Sequence, residues 1–600
     1  MIRRPRMGDS KCTPPRRVSA IRRARCVAGG LALAAAGRAL PAYAADVVVR
    51  PLNTHQTIDG FGASSAWTAS DMSDSDADLA FSTDGTKNGA GLSLLRVRIA
   101  PDGSCGEVAT AQKAIARGAK VWAAPWSPPP EWKSGTDDAG NGGSLIPMFY
   151  DSWASRLAES VQALQAEGVN LIGLSAQNEP TTAVVNHGNV PGYESCVYTP
   201  SELVDFVGQH LGPALDDAGL RSGSAGNAGS SEAGSSGGGT EDAGSSGGGT
   251  EDAGSSGGGT EDAGSSGGGT EDAGSIAPAA AFLKIIAPET QDWGAFATFE
   301  SAFMADDGGA FNELGTLASH SYGNVSPSPY PAITAAGKSL WQTEVYDETS
   351  SQPDPGIASG LWVARAIHQA LVTANVNAWH YWWLKPLGPD RGALWDLTTG
   401  QPSKRLYTMG NFSRFVRPGF VRVDATELPQ PCGQVQVSAY YDNPSGTLVV
   451  VAINSDTVDY TQGFLFDGVT AGSWQSWVTS DSKDLETGTQ VVDANLDGSA
   501  VGGRVVTTLP AQSVTTLQGH VTAPGPALSA DAGSDPADIT ACGDAAPVTG
   551  GSGCGLACSI AARRTSRGGP LTGWSAAGCI AVTAAIRRRA ARRRSVYRDR

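Results

Sequence analysis

The stretch SLWQTEVYD (residues 339–347) is a short apolar run that ends by delivering a carboxylate, Glu344. Seven further β-rich runs of similar length occur along the chain, and amphipathic stretches such as MFYDSWASRLAESVQALQAEG separate several of them. The eight runs span residues 56–64, 92–100, 120–128, 171–180, 283–290, 317–323, 340–347 and 378–384. Eight β runs with intervening helices favour a closed parallel (β/α)8 barrel.

After residue 420 the pattern changes to short alternating strands, as in VQVSAYYD and TLVVVAINS, with Gly, Asn and Asp turns between them. Such strands are typical of an antiparallel sandwich. We therefore predict an α/β fold, a (β/α)8 TIM barrel over residues 56–415 with an associated antiparallel β-sandwich side domain over 416–520. Residues 45–55 are expected to add an N-terminal strand to that sandwich.

The first 44 residues have the regional order of an export signal. They contain ten Arg and Lys residues, most of them ahead of the apolar segment CVAGGLALAAAG, and AYA (42–44) has the small-x-small pattern of a cleavage site. We expect a signal peptide over residues 1–44, and hence a protein that is secreted or held at the cell surface.

The C-terminal region has its own three-part order. We predict a flexible Cys-bearing linker over residues 521–567, followed by a hydrophobic helix and an Arg-rich tail over 568–600. The 19 uncharged residues from 568 can just cross a bilayer, with the following RRRAARRR on the cytoplasmic side. This order resembles the Cys–helix–Arg sorting tails of some bacterial surface proteins and predicts attachment to a membrane or cell surface. A disordered basic tail is the alternative.

Residues 233–272 are four identical copies of AGSSGGGTED. Glycine and serine cannot build a packed core, and the acidic pairs repel one another, so we predict a disordered Gly/Ser-rich insert over residues 222–275 within the barrel. The insert follows the predicted fourth helix and precedes the fifth strand. That loop lies at the barrel face opposite the catalytic loops, where an insertion need not disturb a catalytic site.

The charge distribution excludes some classes of function. Formal net charge is −16, and the basic ends (1–44 and 563–600) carry +9 and +10, which leaves −35 for the residues between them. An acidic body does not suit a nucleic-acid-binding protein. Of nine cysteines, two lie in residues 1–44 and four lie beyond residue 520, so only Cys105, Cys196 and Cys432 lie in residues 45–520, and no Cys/His cluster has zinc spacing. We expect no metal, no cofactor, no nucleic-acid partner and a monomer.

A second carboxylate occupies a position like that of Glu344. Glu179 in SAQNEP ends the fourth β run, as Glu344 ends the seventh. Both would point into the mouth of the barrel from opposite sides. Two facing carboxylates are what glycosidic cleavage requires, because one must protonate the leaving oxygen while the other attacks the anomeric carbon or activates water.

Aromatic and amide side chains near the predicted strand ends suit sugar binding. Asn178 could hydrogen-bond a sugar hydroxyl beside Glu179. Tryptophans at strand ends are more often core than sugar platform, so each is a candidate only. The aromatic and histidine candidates are Trp126 and Trp132 in PWSPPPEW, His320 and Tyr322 in SHSYG, and Trp382 and Trp383 in HYWWL.

Eight motifs, in this order along the chain, resemble glycoside hydrolase family 30: QTIDGFGAS, LLRVRI, PWSPP, QNEP, YESC, ASHSYG, WQTEVY and SKRLYTMGNFSRFVRPG. The likeness covers roughly residues 50–520 apart from the insert. It implies a (β/α)8 barrel with a side β-sandwich and retaining chemistry, with Glu179 as the acid/base and Glu344 as the nucleophile. The substrate-binding residues that we predict are Asn178, Trp126, Tyr322, Trp383, Tyr346 and Trp67.

Within that family, YESC, PYPAITAAGKSLWQTEVY and FSRFVRPGFVRVDAT look most like bacterial glucuronoxylan endo-β-1,4-xylanases. Those enzymes grip a glucuronate branch with an arginine shortly after the paired tryptophans. This chain departs there, because Leu387 stands at the corresponding position. Lys385 or Arg391 could substitute, with hydroxyls from Tyr346 and Thr349. A carboxylate favours a forked guanidinium partner, so the departure puts glucuronate dependence in question.

We therefore predict a retaining endo-β-glycosidase that acts on a polysaccharide, a plant-type β-glycan such as xylan or glucuronoxylan. Two alternatives remain open. Within the same family, the substrate could be β-1,6-galactan, β-1,6-glucan or glucosylceramide. In a different class, the barrel could belong to a non-catalytic carbohydrate-binding surface protein.

Overall fold

The computed structural model describes residues 42–43, 46–523 and 525, with gaps at 69–71, 138–139, 183–191, 222–282, 324–325, 349–353, 386–391, 397, 427–434, 490 and 494–502. The predicted repeat insert and sorting tail lie outside these residues, as does the predicted signal peptide apart from Ala42–Tyr43. Their predictions therefore stay predictions.

Eight strands form a closed barrel in which every neighbouring pair is parallel. The strands lie around the barrel in chain order, and strand 8 pairs with strand 1. The predicted fold class is confirmed. Barrel strands 1 to 8 are Gly60–Ser64, Leu94–Ile99, Lys120–Pro125, Leu171–Ser175, Lys284–Thr290, Leu314–His320, Ser339–Glu344 and Ala378–Trp383.

Helices follow most of the barrel strands. The helix Tyr150–Ala166 buries Trp153, Leu157 and Val161 at four-residue spacing, which is one face of an α-helix. No helix in the described ranges is long and apolar enough to span a membrane. The α-helices are Asp74–Phe81, Val108–Ile115, Tyr150–Ala166, Pro200–Asp205, Gly212–Asp217, Trp293–Met304, Ala310–Glu313, Pro331–Ala335, Ile357–Thr373 and Lys404–Ser413. A π-helical turn (Phe206–Leu211) joins two of them, and 3-10 turns occur at Gly85–Lys87, Pro130–Trp132 and Pro147–Phe149.

A separate sheet of eleven strands is built mainly from the C-terminal part of the chain. Its pairs are antiparallel except that Tyr460–Phe466 runs parallel to Val47–Thr57 and to Ala42–Tyr43. In order across the sheet the strands are Lys483–Thr487, Thr470–Ser480, Ser513–Thr522, Thr447–Asn454, Val435–Asp442, Val421–Thr426, Val47–Thr57, Tyr460–Phe466, Arg504–Leu509 and Val492–Asp493, with Ala42–Tyr43 beside Tyr460–Phe466. Two short hairpins, Lys133–Ser134 with Ser144–Leu145 and Trp395–Asp396 with Gln401–Pro402, complete the strands.

The two faces of the sheet bury different cores. On one face, Phe464 and Val505 lie on neighbouring strands but share a core with Leu517, whose strand lies far from theirs in the sheet order, so the sheet folds over on itself. On the other, Tyr440 and Val449 join the large core that surrounds the barrel. The sheet thus packs around its own interior and supports the barrel from outside.

Asn411 links a helix of the barrel to the sheet through buried polar contacts. It lies in the helix Lys404–Ser413, is fully buried, and donates from Nδ2 to Thr516 Oγ1 at 2.9 Å. The hydroxyl of Thr516 donates in turn to the backbone oxygen of Asn411 at 2.6 Å. This reciprocal pair fixes the helix against the sheet strand Ser513–Thr522.

We expect Asn411→Ala to lower the free energy of unfolding by about 1–3 kcal/mol, because a buried polar pair loses a partner. Asn170→Ala, at an exposed position before barrel strand 4, is the matched control and should change the free energy by less than about 0.5 kcal/mol. Urea denaturation of the full chain measures both. Equal stability of the two variants would contradict the role of this contact.

Candidate active site

A cleft of about 600 Å³ opens where the barrel strands end. All eight residues predicted as catalytic or substrate-binding line it, together with the candidate Trp382 and three residues that were not predicted, Tyr193, Gln291 and Glu348. The lining is Trp67, Trp126, Asn178, Glu179, Tyr193, Gln291, Tyr322, Glu344, Tyr346, Glu348, Trp382 and Trp383. Residues far apart in the sequence meet here because parallel barrel strands deliver their C-terminal ends to one face.

Glu344 is the last residue of barrel strand 7 and is only 6% exposed. Tyr322 donates its hydroxyl to Oε1 of Glu344 at 2.8 Å, and Arg96 Nη1 donates to Oε2 at 2.5 Å. Burial raises the pKa of Glu344 above its ordinary value, while the charges of His320 and Arg96 oppose that rise. The side chain is thus fixed at both oxygens.

Glu179 lies four residues beyond barrel strand 4, in a turn rather than in the predicted strand end, and is 5% exposed. Its φ of 44° is in the left-handed region, which is rare for a residue with a side chain. Its Oε1 lies 3.0 Å from His320 Nδ1, and its Oε2 accepts the hydroxyl of Tyr193 at 3.0 Å. One oxygen each of Glu179 and Glu344 lie within 4.8 Å of each other.

Two cations hold the carboxylates together. Arg96, from barrel strand 2, donates through Nη2 to Asn178 Oδ1 at 2.5 Å and pairs with Glu289 Oε1 at 2.5 Å, besides its bond to Glu344. Burial alone would lower the pKa of His320, but the carboxylates of Glu344, Glu179 and Glu289 outweigh it and raise that pKa to about 9. Three carboxylates therefore face two cations.

Glu179, His320 and Glu344 are also the one group in the described residues whose ligand atoms lie close enough to hold a metal ion. Arg96 lies 2.5 Å from Glu344 Oε2, so its positive charge would oppose a second cation there. The charges of Arg96 and His320 already offset those of the carboxylates.

Tryptophans form one wall of the cleft. Trp67 packs edge-on against Trp126 with ring centroids 4.9 Å apart, and Trp382 stacks on Trp383 at 5.0 Å. Trp126 is 2% exposed and Arg96 lies over its ring at 4.4 Å, so it forms the floor of the cleft. Trp132, also a candidate platform, is not part of the lining and stacks on Phe149 instead.

The segment 192–198 carries Tyr193 into the cleft, and two cations hold it. Arg98 forms a forked ion pair with Glu194, donating from Nη2 to Oε2 at 2.6 Å. The buried ammonium of Lys133 donates to the backbone oxygen of Ser195 at 3.0 Å. Both ties restrain Tyr193, the residue whose hydroxyl reaches Glu179.

Sequence reasoning missed Arg96, Tyr193 and Glu289 as site residues. Arg96 had a signal, since an arginine inside the apolar run LLRVRI must find a partner when it is buried. Glu289 in APET had the same strand-end position as Glu344 but was not considered. Tyr193 begins the motif YESC, but no local pattern links its hydroxyl to Glu179, which lies 14 residues earlier in the sequence.

Lys385, considered as a substitute for the glucuronate-binding arginine, is engaged elsewhere. Its Nζ donates to Asp76 Oδ2 at 2.5 Å and lies 5.6 Å from the centre of the Trp395 ring. It is not part of the cleft lining. Arg391, Leu387 and Thr349 lie outside the described residues.

The chain is similar to known glycoside hydrolases over most of its length. Residues 105–224 match the glycosyl hydrolase family 30 TIM-barrel domain. Glucuronoxylanase XynC of Bacillus subtilis (strain 168) is 30% identical over 488 residues, which cover 79% of this chain and 92% of that protein.

Solved structures show the same likeness. The glycoside hydrolase family 30 subfamily 8 xylanase Xyn30A from Clostridium acetobutylicum matches with a TM-score of 0.58 and 30% identity, covering 79% of this chain and 99% of that one. The endoxylanase from Clostridium papyrosolvens C71 matches with a TM-score of 0.56 and 28% identity, covering 79% and 100%. The similarity therefore extends well beyond the barrel segment 105–224.

We expect two buried histidines of the barrel to differ in charge at neutral pH, with His320 positive and His380 neutral. His320 should stay doubly protonated to about pH 8, because three carboxylates surround it. His380 should stay neutral down to about pH 5, because burial lowers its pKa to about 3 and Trp122 Nε1 already donates to its Nε2 at 3.1 Å.

Ring ¹⁵N chemical shifts of the histidine-labelled chain measure both charge states, with His320→Gln and His380→Gln used for assignment. Loss of the second proton from His320 below about pH 7 would contradict this charge arrangement. So would protonation of His380 above about pH 5.

Proposed function

The chain belongs to glycosyl hydrolase family 30, and on that basis we propose that it hydrolyses the backbone of xylan as a retaining endo-β-glycosidase, with Glu344 as nucleophile and Glu179 as acid and base. The supporting observation is that oxygens of the two glutamates lie within 4.8 Å of each other in one cleft. Carboxyl groups about 5 Å apart suit direct attack on the anomeric carbon, whereas a gap of about 6.5–9.5 Å is needed to place water.

In the first step an oxygen of Glu344 bonds to the anomeric carbon as the glycosidic bond breaks, and Glu179 gives its proton to the leaving oxygen. Attack needs Glu344 in its ionised form, which the guanidinium of Arg96 at 2.5 Å favours. The hydroxyl of Tyr322 holds the other oxygen at 2.8 Å and so orients the carboxylate.

In the second step Glu179, now ionised, takes a proton from a water molecule whose oxygen attacks the anomeric carbon. The bond from that carbon to Glu344 breaks, and the carboxylate is regenerated. Two successive inversions leave the configuration of the sugar unchanged.

The number of charges in the cluster is consistent with these two proton transfers to and from Glu179. Glu179, Glu289 and Glu344 together carry three negative charges when ionised, and Arg96 and His320 carry two positive charges. One added proton makes the buried group neutral, which is the favoured state in a medium of low polarity. In this mechanism Glu179 carries the added proton and transfers it to the leaving oxygen.

The relatives named above support xylan as the substrate, because they are a glucuronoxylanase and two xylanases. Trp67, Trp382 and Trp383 supply apolar faces for pyranose rings, and the amide of Asn178, held by Arg96, suits a bond to a sugar hydroxyl. Because Lys385 is paired with Asp76, we include in the proposal that a glucuronate branch is accepted but not required.

Export and surface attachment are further parts of the proposal. They are supported by the order of basic, apolar and small residues in 1–44 and by the apolar and Arg-rich stretch in 568–600. A polysaccharide too large to enter a cell would require an enzyme outside it.

Glu344→Gln should lower kcat on xylan by on the order of 10³-fold or more, because an amide cannot form the glycosyl ester. Substrate binding should survive, since the cleft keeps its shape. Glu159→Gln, at an exposed position on the helix Tyr150–Ala166, is the matched control and should retain full activity. Reducing-sugar release and calorimetric titration measure rate and binding. A wild-type chain that binds xylan without turnover would instead support the carbohydrate-binding surface protein.

On a panel of glucuronoxylan, arabinoxylan, β-1,6-galactan and β-1,6-glucan, we expect turnover of the two xylans. Values of kcat/KM for xylan with and without glucuronate should differ by less than about tenfold. Lys385 is engaged by Asp76, so it does not replace the forked guanidinium contact to glucuronate, and that contact would be worth about tenfold or more. Lys385→Met should leave the ratio unchanged. A ratio above about a hundredfold that collapses in Lys385→Met would contradict the assignment.

A further inference from the structure

Glu289 is the penultimate residue of barrel strand 5 and is fully buried below the cleft. It is not part of the cleft lining. A buried carboxylate costs free energy unless other groups compensate its charge, so its presence in the barrel interior calls for a physical role.

Three groups hold the side chain of Glu289. Its Oε2 accepts the hydroxyl of Ser175 at 2.5 Å, and its Oε1 pairs with Arg96 Nη2 at 2.5 Å. The same Oε1 lies 3.4 Å from His320 Nε2. Although burial disfavours its charge, Arg96, His320 and Ser175 together hold the pKa of Glu289 below its ordinary value.

His320 connects this carboxylate to the cleft. Its Nδ1 lies 3.0 Å from Glu179 Oε1, while its Nε2 faces Glu289. An imidazole with a carboxylate at each ring nitrogen is best satisfied when both nitrogens carry protons. Glu289, His320 and Glu179 thus form a carboxylate–imidazolium–carboxylate chain.

A second, independent link runs through the main chain. The backbone N–H of Glu179 donates to the backbone oxygen of Glu289 at 3.0 Å. Both residues have positive φ, 44° for Glu179 and 57° for Glu289. Such conformations persist only where the surroundings enforce them, and here each strained residue supports the other.

We propose that Glu289 is a positioning residue for Glu179: its contact with Nε2 of His320 and its backbone bond to Glu179 hold the imidazole ring against Glu179 Oε1, and its charge contributes to the pH dependence of the reaction. The role rests on the proposed function, in which Glu179 is the acid and base. Glu289 itself touches neither substrate nor reacting atoms.

The charged and titratable groups that face this chain come from several other parts of the barrel. Strand 2 contributes Arg96, strand 7 contributes Glu344, and strand 8 contributes His380, which is neutral because burial lowers its pKa to about 3. Tyr322 follows strand 6, and burial raises its pKa well above the ordinary value. Glu289 is therefore the ionised group whose removal changes the charge of the cluster without altering the cleft wall.

Glu289→Gln removes one negative charge but keeps the shape of the side chain. The remaining coupled groups should then release their protons at lower pH. We expect the pH profile of kcat/KM on xylan to move to lower pH by at least about one unit, and the titration of His320 to move in the same direction. Glu107→Gln is the matched control, because Glu107 is also buried in the barrel but accepts from the backbone of Arg98.

The experiment compares the full-length wild type, Glu289→Gln and Glu107→Gln by pH–rate profile and by ring ¹⁵N shifts of His320. A displaced profile in Glu289→Gln alone, with a displaced His320 titration, supports the proposal. A loss of rate with both midpoints unchanged would show a merely structural residue and overturn it.

If Glu289→Gln does not fold, Glu289→Asp replaces it, because it keeps the charge but withdraws the oxygens by one methylene. Reduced kcat with a profile displaced to lower pH is then expected, and a wild-type rate and profile would overturn the proposal. If the wild type is inactive on every xylan, the proposed function is refuted instead. The titration of His320 still tests the role of Glu289, because it is measured without substrate.

Discussion

Three buried carboxylates, Glu179, Glu289 and Glu344, are held together inside the barrel by two cations, Arg96 and His320. Like charges at this distance repel strongly in a dry interior, so neither the cleft nor its chemistry could exist without the cations. The arrangement also leaves room for one proton, which is what an acid that must later act as a base requires.

The rest of the fold positions this cluster. Parallel strands bring Arg96, Glu289 and Glu344 from distant parts of the chain to one level of the barrel. The segment 192–198, tied down by Arg98 and Lys133, adds the hydroxyl of Tyr193 above Glu179. The folded-over sheet packs on the barrel from outside, and none of its described residues lines the cleft, which fits a role in stability.

Much of this could be predicted from sequence because the signals were periodic or positional. The eight β runs indicated the barrel, and the carboxylates in the runs 171–180 and 340–347 indicated Glu179 and Glu344, although Glu179 lies in the turn after its strand. Glu289 had the same kind of position, but its role depends on contacts with Arg96 and His320 that no local pattern encodes. The left-handed turn at Glu179 and the placement of Trp132 against Phe149 are likewise products of tertiary packing.

In the proposed mechanism Glu344 forms a covalent bond to the sugar, while Glu179 first donates and then accepts the proton. The most direct measurement is peptide mapping by mass spectrometry after incubation with a 2-deoxy-2-fluoro-xylobioside that carries a good leaving group. The mechanism predicts a single fluoro-xylobiosyl adduct on the peptide containing Glu344. An adduct on Glu179 or Glu289, or an active enzyme that forms no adduct and releases products of inverted configuration, would contradict it.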